Sequence, residues 1–244
     1  MKVYLSPSSQ INNKYSYGDT TEAIVCREIA DITEGYLLLN GVNVKTGKQA
    51  TYQERVADSN AFYPDLHVCI HTNAGGGQGT TVFTSTKCKY NKYAKSIYNY
   101  VSLCTPTKDR GMKVNDKLYE IKNTKANCCY IEVEFHDNPT TAKWIIEHKN
   151  DIAQAIVTGI LKANNVTPVF TEAKEYWRVQ IGAFSKKENA NRLLETLKNS
   201  GVSAYVKYDG SYYRVQTGAY VKRNNAERMK KHLLSLGFDA YIKH

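Results

Sequence analysis

The stretch NCCYIEVEFHDNP, Asn127 to Pro139, mixes two kinds of side chain. Tyr130, Ile131, Val133 and Phe135 read as a short buried strand, with Glu132, Glu134 and His136 interleaved among them. Carboxylates and imidazoles are costly to bury unless they are paired, protonated or metal-bound. Two other positions carry groups of the same type. In DLHVCIHTNAGGG an apolar run ends in His71, and Asn73 with three glycines then lets the backbone turn closely around a ligand. In YGDTTEAIVCREIADI, Glu22 opens an amphipathic helix, where a lone acid is favoured by the helix dipole. Taken together with Glu132, these groups form a candidate site for metal binding or proton transfer.

Such groups need elements that bring them to one place. Strand-like runs (Val3 to Leu5, Leu66 to Ile70, Thr80 to Phe83, Cys128 to Val133) alternate with helical ones (Thr21 to Asp31, Thr51 to Asn60, Lys92 to Leu103, Thr141 to Ala163). The alternation predicts an α/β domain with a mostly parallel sheet and helices on both faces. In such sheets ligands gather beyond the carboxyl ends of the strands, where His71 and Glu132 fall.

The last third of the chain repeats itself at an offset of 36 residues, YWRVQIGAFSKKENANRLLETLKNSGVSAYVK from Tyr176 against YYRVQTGAYVKRNNAERMKKHLLSLGFDAYIK from Tyr212. Each unit reads strand, helix, strand, and Asp209-Gly210 between them is a hairpin turn signal. Two such units predict a ferredoxin-like α+β domain (βαββαβ), a four-stranded antiparallel sheet with both helices on one face. The expected division is residues 1–163, a linker over 164–174, and 175–244. From Glu172 onward 14 Lys or Arg face 7 Asp or Glu, so most of the net charge of +10 belongs to the small domain and an anionic partner fits it.

At 244 residues the chain can bury one substantial core and a second small one. No stretch approaches the roughly 18 apolar residues of a membrane span, so no membrane insertion is expected. MKVYLSPSSQ shows no secretory leader, which predicts synthesis in the cytoplasm. The six cysteines fall into no C-x-x-C spacing and read as free thiols.

The acid early, the His after a central strand and the Glu ending a late strand resemble the zinc-dependent N-acetylmuramoyl-L-alanine amidases of the type 3 family. LSPSSQ stands where that family has an L-D-P-G-H-like turn, and GDTTEAIVCREIA resembles its glutamate helix. ERVADSNAFYPDLHVCIHTNAGGGQGTTVF and DRGMKVNDKLYEIKNTKANCCYIEVEFHDNP resemble its His-x-Asn strand and the stretch ending in Glu-x-Gly-Phe. The resemblance spans roughly residues 2–162. It implies Zn2+ as cofactor, Glu22 and His71 as ligands, Glu132 as the acid/base for the attacking water, and Asn73 on the substrate side. The bond implied is the amide between N-acetylmuramic acid and L-alanine of the stem peptide. Two positions depart from the pattern: Ser9 replaces the first-strand histidine and Glu134 replaces the glycine of Glu-x-Gly-Phe. A catalytic zinc normally keeps three protein ligands. Strand alternation would carry Glu132, Glu134 and His136 to one side, so His136 is the expected third ligand, with Glu134, Cys69 and Gln10 as alternatives.

The repeats resemble the SPOR domain, a module of wall-associated proteins thought to bind glycan strands stripped of stem peptides. Trp177-Arg178-Val179-Gln180-x-Gly182-Ala183-Phe184 and Tyr213-Arg214-Val215-Gln216-x-Gly218-Ala219-Tyr220 carry the likeness. Period two places Val179 and Val215 toward the helices and leaves Tyr176, Arg178, Gln180, Tyr212, Arg214 and Gln216 on the open face, with Arg178, Gln180, Arg214 and Gln216 as the expected binding residues. No RNP-type motif is present, so peptidoglycan rather than nucleic acid is the expected partner. The resemblance implies a wall hydrolase, expected as a monomer; the lack of a visible secretory leader suits a phage endolysin or sporulation autolysin reaching the wall after holin action or cell lysis. The alternatives are a non-catalytic wall-binding protein with a degenerate metal site, and a zinc peptidase.

Overall fold

A computed structural model describes residues 1–88, 91–170, 176–220 and 223–243. The chain divides into two compact units, Met1–Phe170 and Thr171–His244. Described in chain order, the first unit holds β1 (Lys2–Pro7), α1 (Glu22–Leu39), β2 (Asn43–Thr46), α2 (Tyr52–Phe62), β3 (Leu66–Asn73), β4 (Thr81–Thr84), α3 (Lys92–Cys104), β5 (Met112–Val114), α4 (Tyr119–Asn123), β6 (Asn127–Phe135), α5 (Pro139–Glu147) and α6 (Lys149–Lys162). The strands form one sheet in the order β2-β1-β3-β6-β4-β5. β2, β1, β3 and β6 run parallel, while β4 is antiparallel to β6 and pairs in parallel with β5. The mostly parallel α/β arrangement read from the sequence is the one observed.

The two faces of the central strands differ in chemistry because their side chains alternate. Val3, Leu5, Leu66, Val68, Ile70, Cys129, Ile131 and Val133 share one buried cluster with Val25 and Ile29 of α1, Ile97 and Val101 of α3, and Ile152 and Ile156 of α6. The opposite face carries Ser6, His67, Cys69, His71, Cys128, Tyr130 and Glu132, with Ile121 of α4 packed on a small apolar patch there. Helix α2 starts at a capping box in which Thr51 accepts from Glu54 N and the Glu54 side chain answers to the Thr51 backbone. Asn138 caps α5, with Pro139 in its first turn. The helical run expected over Thr141 to Ala163 is broken at His148, whose Nδ1 donates to the Trp144 carbonyl at 2.9 Å. β2 and β5 escape sequence reading because NVKT and MKV are short and only partly buried.

Residues 164–170 lie with the first unit. Val169 N donates to Asn40 Oδ1 at 2.8 Å, and Phe170 meets Tyr36 edge-on at a ring separation of 5.1 Å. Residues 171–174 of the expected linker fall outside the described residues.

The second unit contains β7 (Trp177–Phe184), α7 (Lys187–Asn199), β8 (Tyr205–Tyr208), β9 (Tyr213–Tyr220), α8 (Arg223–Ser235) and β10 (Tyr241–Lys243). Its sheet is antiparallel throughout, in the order β10-β7-β9-β8. Val179, Ile181 and Val215 pack against Ala190 and Leu197 of α7 and Ala226 and Leu233 of α8, so among the described residues both helices of this unit lie on one face of the sheet.

Candidate active site

β3 and β6 are neighbours, and their parallel register sets His71 beside Glu132 at the carboxyl end of the sheet. Glu22, the first residue of α1, points into the same place: its Oε1 lies 2.9 Å from His71 Nδ1 and its Oε2 accepts from Asn13 Nδ2 at 2.7 Å. Glu22 is completely buried, which alone would raise its pKa, but the bonds from His71 and Asn13 outweigh burial and lower it. Burial pulls His71 down, yet the Glu120, Glu22 and Glu132 carboxylates around it raise its pKa to about 9. Glu132 is pushed up to about 7, chiefly by burial, with His71 opposing the rise and Glu22 adding to it. Glu132 Oε2 is buried and makes no hydrogen bond. A carboxylate balanced near neutrality with a free buried oxygen can accept a proton and give it back.

The turn after β1 sorts its side chains by direction. Ser9 Oγ faces Arg55 Nη2 at 3.4 Å, away from His71. Gln10 faces the site, with its carboxamide 3.4 Å from Glu22 Oε1 and 3.5 Å from His71 Nδ1.

His136 is not brought to Glu22 and His71. Its Nδ1 meets Thr72 Oγ1 at 3.0 Å and the Thr72 carbonyl at 3.2 Å, and its ring stacks on Tyr15 at 5.1 Å. The side chain expected as third ligand is thus engaged by Thr72 and Tyr15 in this structure. Between the pairs His71↔Glu132 and Asn73↔Phe135, β6 uses one more residue than β3, and this bulge reverses the side-chain parity that would have aligned His136 with Glu132. Glu134 is likewise directed elsewhere, accepting from Gly79 N at 2.9 Å and from Thr107 Oγ1. Asn73 holds the following turn, its Oδ1 accepting from Ala74 N at 2.8 Å. The glycine loop folds onto Asp137, whose Oδ2 accepts from Gly75 N at 2.6 Å and Gly76 N at 2.8 Å.

On the sheet face opposite α7 and α8, register aligns Tyr241, Gln180, Gln216 and Tyr205 in one row across the four strands, and Gln180 and Gln216, expected on an open face, are buried at its centre. Arg178 pairs with Lys243 and Arg214 with Lys207 in the neighbouring positions. Arg214 Nη1 donates to Gln180 Oε1 at 3.4 Å and its Nε to Asp209, while Tyr205 Oη donates to Gln216 Oε1 at 3.3 Å. Arg178 and Arg214 also lie over the rings of Tyr176 and Tyr212, at 6.0 and 5.8 Å.

Comparison with known proteins gives this geometry its setting. Residues 10–162 match the N-acetylmuramoyl-L-alanine amidase family, which is more than half of the chain. The chain belongs to that family. Residues 157–208 and 209–244 match the SPOR domain, so this amidase-family chain carries a SPOR domain behind its α/β domain. It is 28% identical over 162 residues to the N-acetylmuramoyl-L-alanine amidase CwlM of Bacillus licheniformis, covering 65% of this chain and 62% of CwlM. It is 25% identical over 177 residues to the sporulation-specific N-acetylmuramoyl-L-alanine amidase of Bacillus subtilis (strain 168), covering 71% of this chain and 68% of that protein. The chain thus spans less than two thirds of the length of CwlM. Its fold is that of the catalytic domain of CwlV, an N-acetylmuramoyl-L-alanine amidase from Bacillus (Paenibacillus) polymyxa, with a TM-score of 0.61 and 19% identity over 68% of this chain and 99% of that one.

Three residues around the amidase-family site were not singled out from the sequence. Glu120 is buried, accepts from Ser6 Oγ at 2.5 Å, and stands 3.5 Å from His67 Nε2 and 3.6 Å from His71 Nε2. Arg55 is buried and donates to Ser6 Oγ at 2.9 Å and to the Gln49 carbonyl at 3.0 Å. Asn13 bonds both Gln10 Oε1 and Glu22 Oε2. In sequence Glu120 reads as an ordinary acid of a short helix, and only the fold of α4 onto β3 distinguishes it.

Proposed function

We propose that this chain is a zinc-dependent N-acetylmuramoyl-L-alanine amidase that hydrolyses the amide between the lactyl group of N-acetylmuramic acid and L-alanine in peptidoglycan, with its SPOR domain holding glycan strands. The observation that carries the reading is the convergence of the Glu22 carboxylate, the His71 imidazole and the Gln10 carboxamide, with Glu132 Oε2 buried beside them without a hydrogen bond. Family membership supplies the reaction class, and these side chains supply donors of the types zinc accepts.

Glu22 and His71 would hold the ion, with Gln10 as the third donor in place of the histidine that Ser9 replaces. The two ends of a carboxamide are nearly alike in shape, so the Gln10 oxygen can face Glu22 and His71 by a simple flip of the amide. Zinc, when bound, supplies an acidified water and a polarised amide carbonyl. Glu132 accepts the proton of the attacking water and delivers it to the leaving amine, which its pKa of about 7 suits in both directions. The amide flip would cost Gln10 the bond its oxygen accepts from Asn13 Nδ2, while Asn13 would still hold Glu22 Oε2, and Glu132 Oε2 stays buried. On the second unit, Tyr241 and Tyr205 would offer ring faces for sugars and Arg178 and Arg214 hydrogen bonds to hydroxyls, while Gln180 and Gln216 are buried and brace Arg214 and Tyr205.

Metal analysis joined to mass spectrometry of digested peptidoglycan tests this function. Wild-type chain is expected to hold zinc and to release stem peptides beginning with L-alanine. Glu22→Ala and His71→Ala lose both properties, Gln10→Ala weakens zinc retention, and His136→Ala keeps zinc. Wall binding without zinc or cleavage, or cleavage between amino acids of the stem, overturns it.

A further inference from the structure

Beneath the Glu22 and His71 site the same sheet face carries a second convergence of donors. His67 and Cys69 project from β3 and Cys128 from β6, and one ligand atom from each lies within 4.8 Å of the others. It is the one such set of three His, Cys, Asp or Glu side chains among the described residues. All three are buried, under the apolar side chains of Ile121, Leu118, Phe83 and Tyr130. His67 Nδ1 is engaged by Ser59 Oγ at 2.8 Å, but His67 Nε2 is buried and makes no hydrogen bond, with Glu120 Oε1 standing 3.5 Å away.

The thiol pair touches without the geometry of a disulfide. Cys69 Sγ and Cys128 Sγ lie 4.0 Å apart. In the parallel register His67 stands opposite Cys128, so Cys69 is displaced from it by two residues. A displacement of about 6.6 Å along the strand and about 4.8 Å across it puts the two α-carbons roughly 8 Å apart, more than the ~7 Å that a disulfide bridges. Two zinc–sulfur bonds of ~2.3 Å, by contrast, span the observed 4.0 Å at an angle of roughly 120°. Two thiolates also cancel the charge of a divalent ion, so the group can be buried without leaving a net charge.

We propose that His67, Cys69 and Cys128 form a second, structural site for a thiophilic divalent cation, zinc above all, separate from the Glu22 and His71 site. On binding, each thiol releases its proton to solvent and the ion gives up water. Such an ion ties β3 to β6 just before His71 and Glu132, and so fixes the spacing of those two side chains without taking part in hydrolysis.

Cobalt substitution of the full-length chain decides this independently of the proposed amidase reaction, because none of Glu22, His71 and Gln10 offers a thiolate. Metal-free chain titrated with Co2+ is expected to develop an intense near-ultraviolet thiolate-to-cobalt charge-transfer band and to take up an equivalent of metal that Glu22→Ala still binds. Cys69→Ala and Cys128→Ala, checked for folding by circular dichroism, lose the band and that equivalent while keeping the one that depends on Glu22. A wild-type chain without the band, or a band that survives in both cysteine variants, overturns the proposal. Loss of metal in Glu22→Ala with the band intact leaves this site standing whatever becomes of the amidase reading.

Discussion

Glu22 Oε1 and His71 Nδ1 approach to 2.9 Å across 49 residues of sequence, joining the first turn of a helix to the end of a strand in a fully buried contact. Without metal this contact is an ion pair, since the surrounding carboxylates keep His71 protonated up to about pH 9. A ligating imidazole must be neutral, so zinc held by His71 as proposed would have to displace this proton.

Zinc binding at pH 7 is therefore expected to expel about one proton from His71, a release that fades above pH 9. Calorimetric titrations in buffers of different ionisation enthalpy measure it directly. The metal-free chain has a matching stability signature. A histidine whose folded pKa exceeds its ordinary 6.5 stabilises fully below 6.5 and loses that contribution as pH rises through about 9. The apo melting temperature should fall across that window, and less steeply in Glu22→Gln. Equal proton release in wild type and His71→Ala would remove His71 from the ligand set.

Glu132→Gln separates the base from the metal. The variant should keep zinc, because its carboxylate is not among the donors, while hydrolysis drops by about a hundredfold to ten-thousandfold. In wild type, kcat/KM should fall on the acid side with a midpoint near the Glu132 pKa of about 7, as the raised carboxyl takes up a proton. An acid limb that stayed near pH 4, or loss of zinc in Glu132→Gln, would assign Glu132 a different role.

The sheet, its main helices and the βαββαβ repeat were legible because hydrophobic period and turn glycines are local signals. His71, Glu132 and Glu22 were legible as motif positions at element ends. The contacts of His136 were not legible because a single extra residue in β6 reverses parity, and no residue type in EVEFHDN announces a bulge. Gln10 stood in the sequence as one of three alternatives, and what favours it as the proposed donor is that Ser9 turns toward Arg55, a contact made across 46 residues. Glu120 and the His67, Cys69, Cys128 set are tertiary in the same sense: each side chain has an unremarkable local reading, and the sheet face brings them together.

Arg55 links this face to the turn after β1. Its Nε bonds Ser6 Oγ, which in turn donates to Glu120, and its other nitrogens reach the Gln49 carbonyl and Ser9. Arg55→Met preserves much of the buried volume but leaves those acceptors unpaired, at a cost on the order of 3 kcal/mol. Urea denaturation should show that loss. Zinc affinity should fall as well, because the turn that carries Gln10 is no longer held. A stability change below about 0.5 kcal/mol would mean that solvent replaces the guanidinium freely.

Close packing of α3 on α6 gives a test in which two effects oppose each other. A Cβ added at Gly159 would meet Ile97 Cα at 2.4 Å and Ile97 N at 2.8 Å, both backbone atoms that cannot step aside. Helix propensity alone favours Gly→Ala by about 1 kcal/mol. Overpacking opposes it by about 1–3 kcal/mol, so Gly159→Ala should be net destabilising, and thermal unfolding of the full chain measures the sign.

The sheet face opposite α7 and α8 should bind through its exposed rings and forked cations. Tyr241 is 63% exposed at one edge of the row that contains Gln180, Gln216 and Tyr205. Loss of one stacking ring is worth about 1 kcal/mol, so Tyr241→Ala should weaken sedimentation with purified peptidoglycan about fivefold. Arg214→Ala acts differently, since its guanidinium also holds Asp209 and Gln180. It should reduce binding and at the same time loosen the hairpin between β8 and β9, a change visible in hydrogen exchange at Tyr208 and Tyr213. Val215 lies on the other face, in the core against α7 and α8, so Val215→Ala should lower stability while leaving the affinity of the folded protein unchanged. Binding that was lost in Val215→Ala while folded, yet survived in both Tyr241→Ala and Arg214→Ala, would move the glycan site off this face.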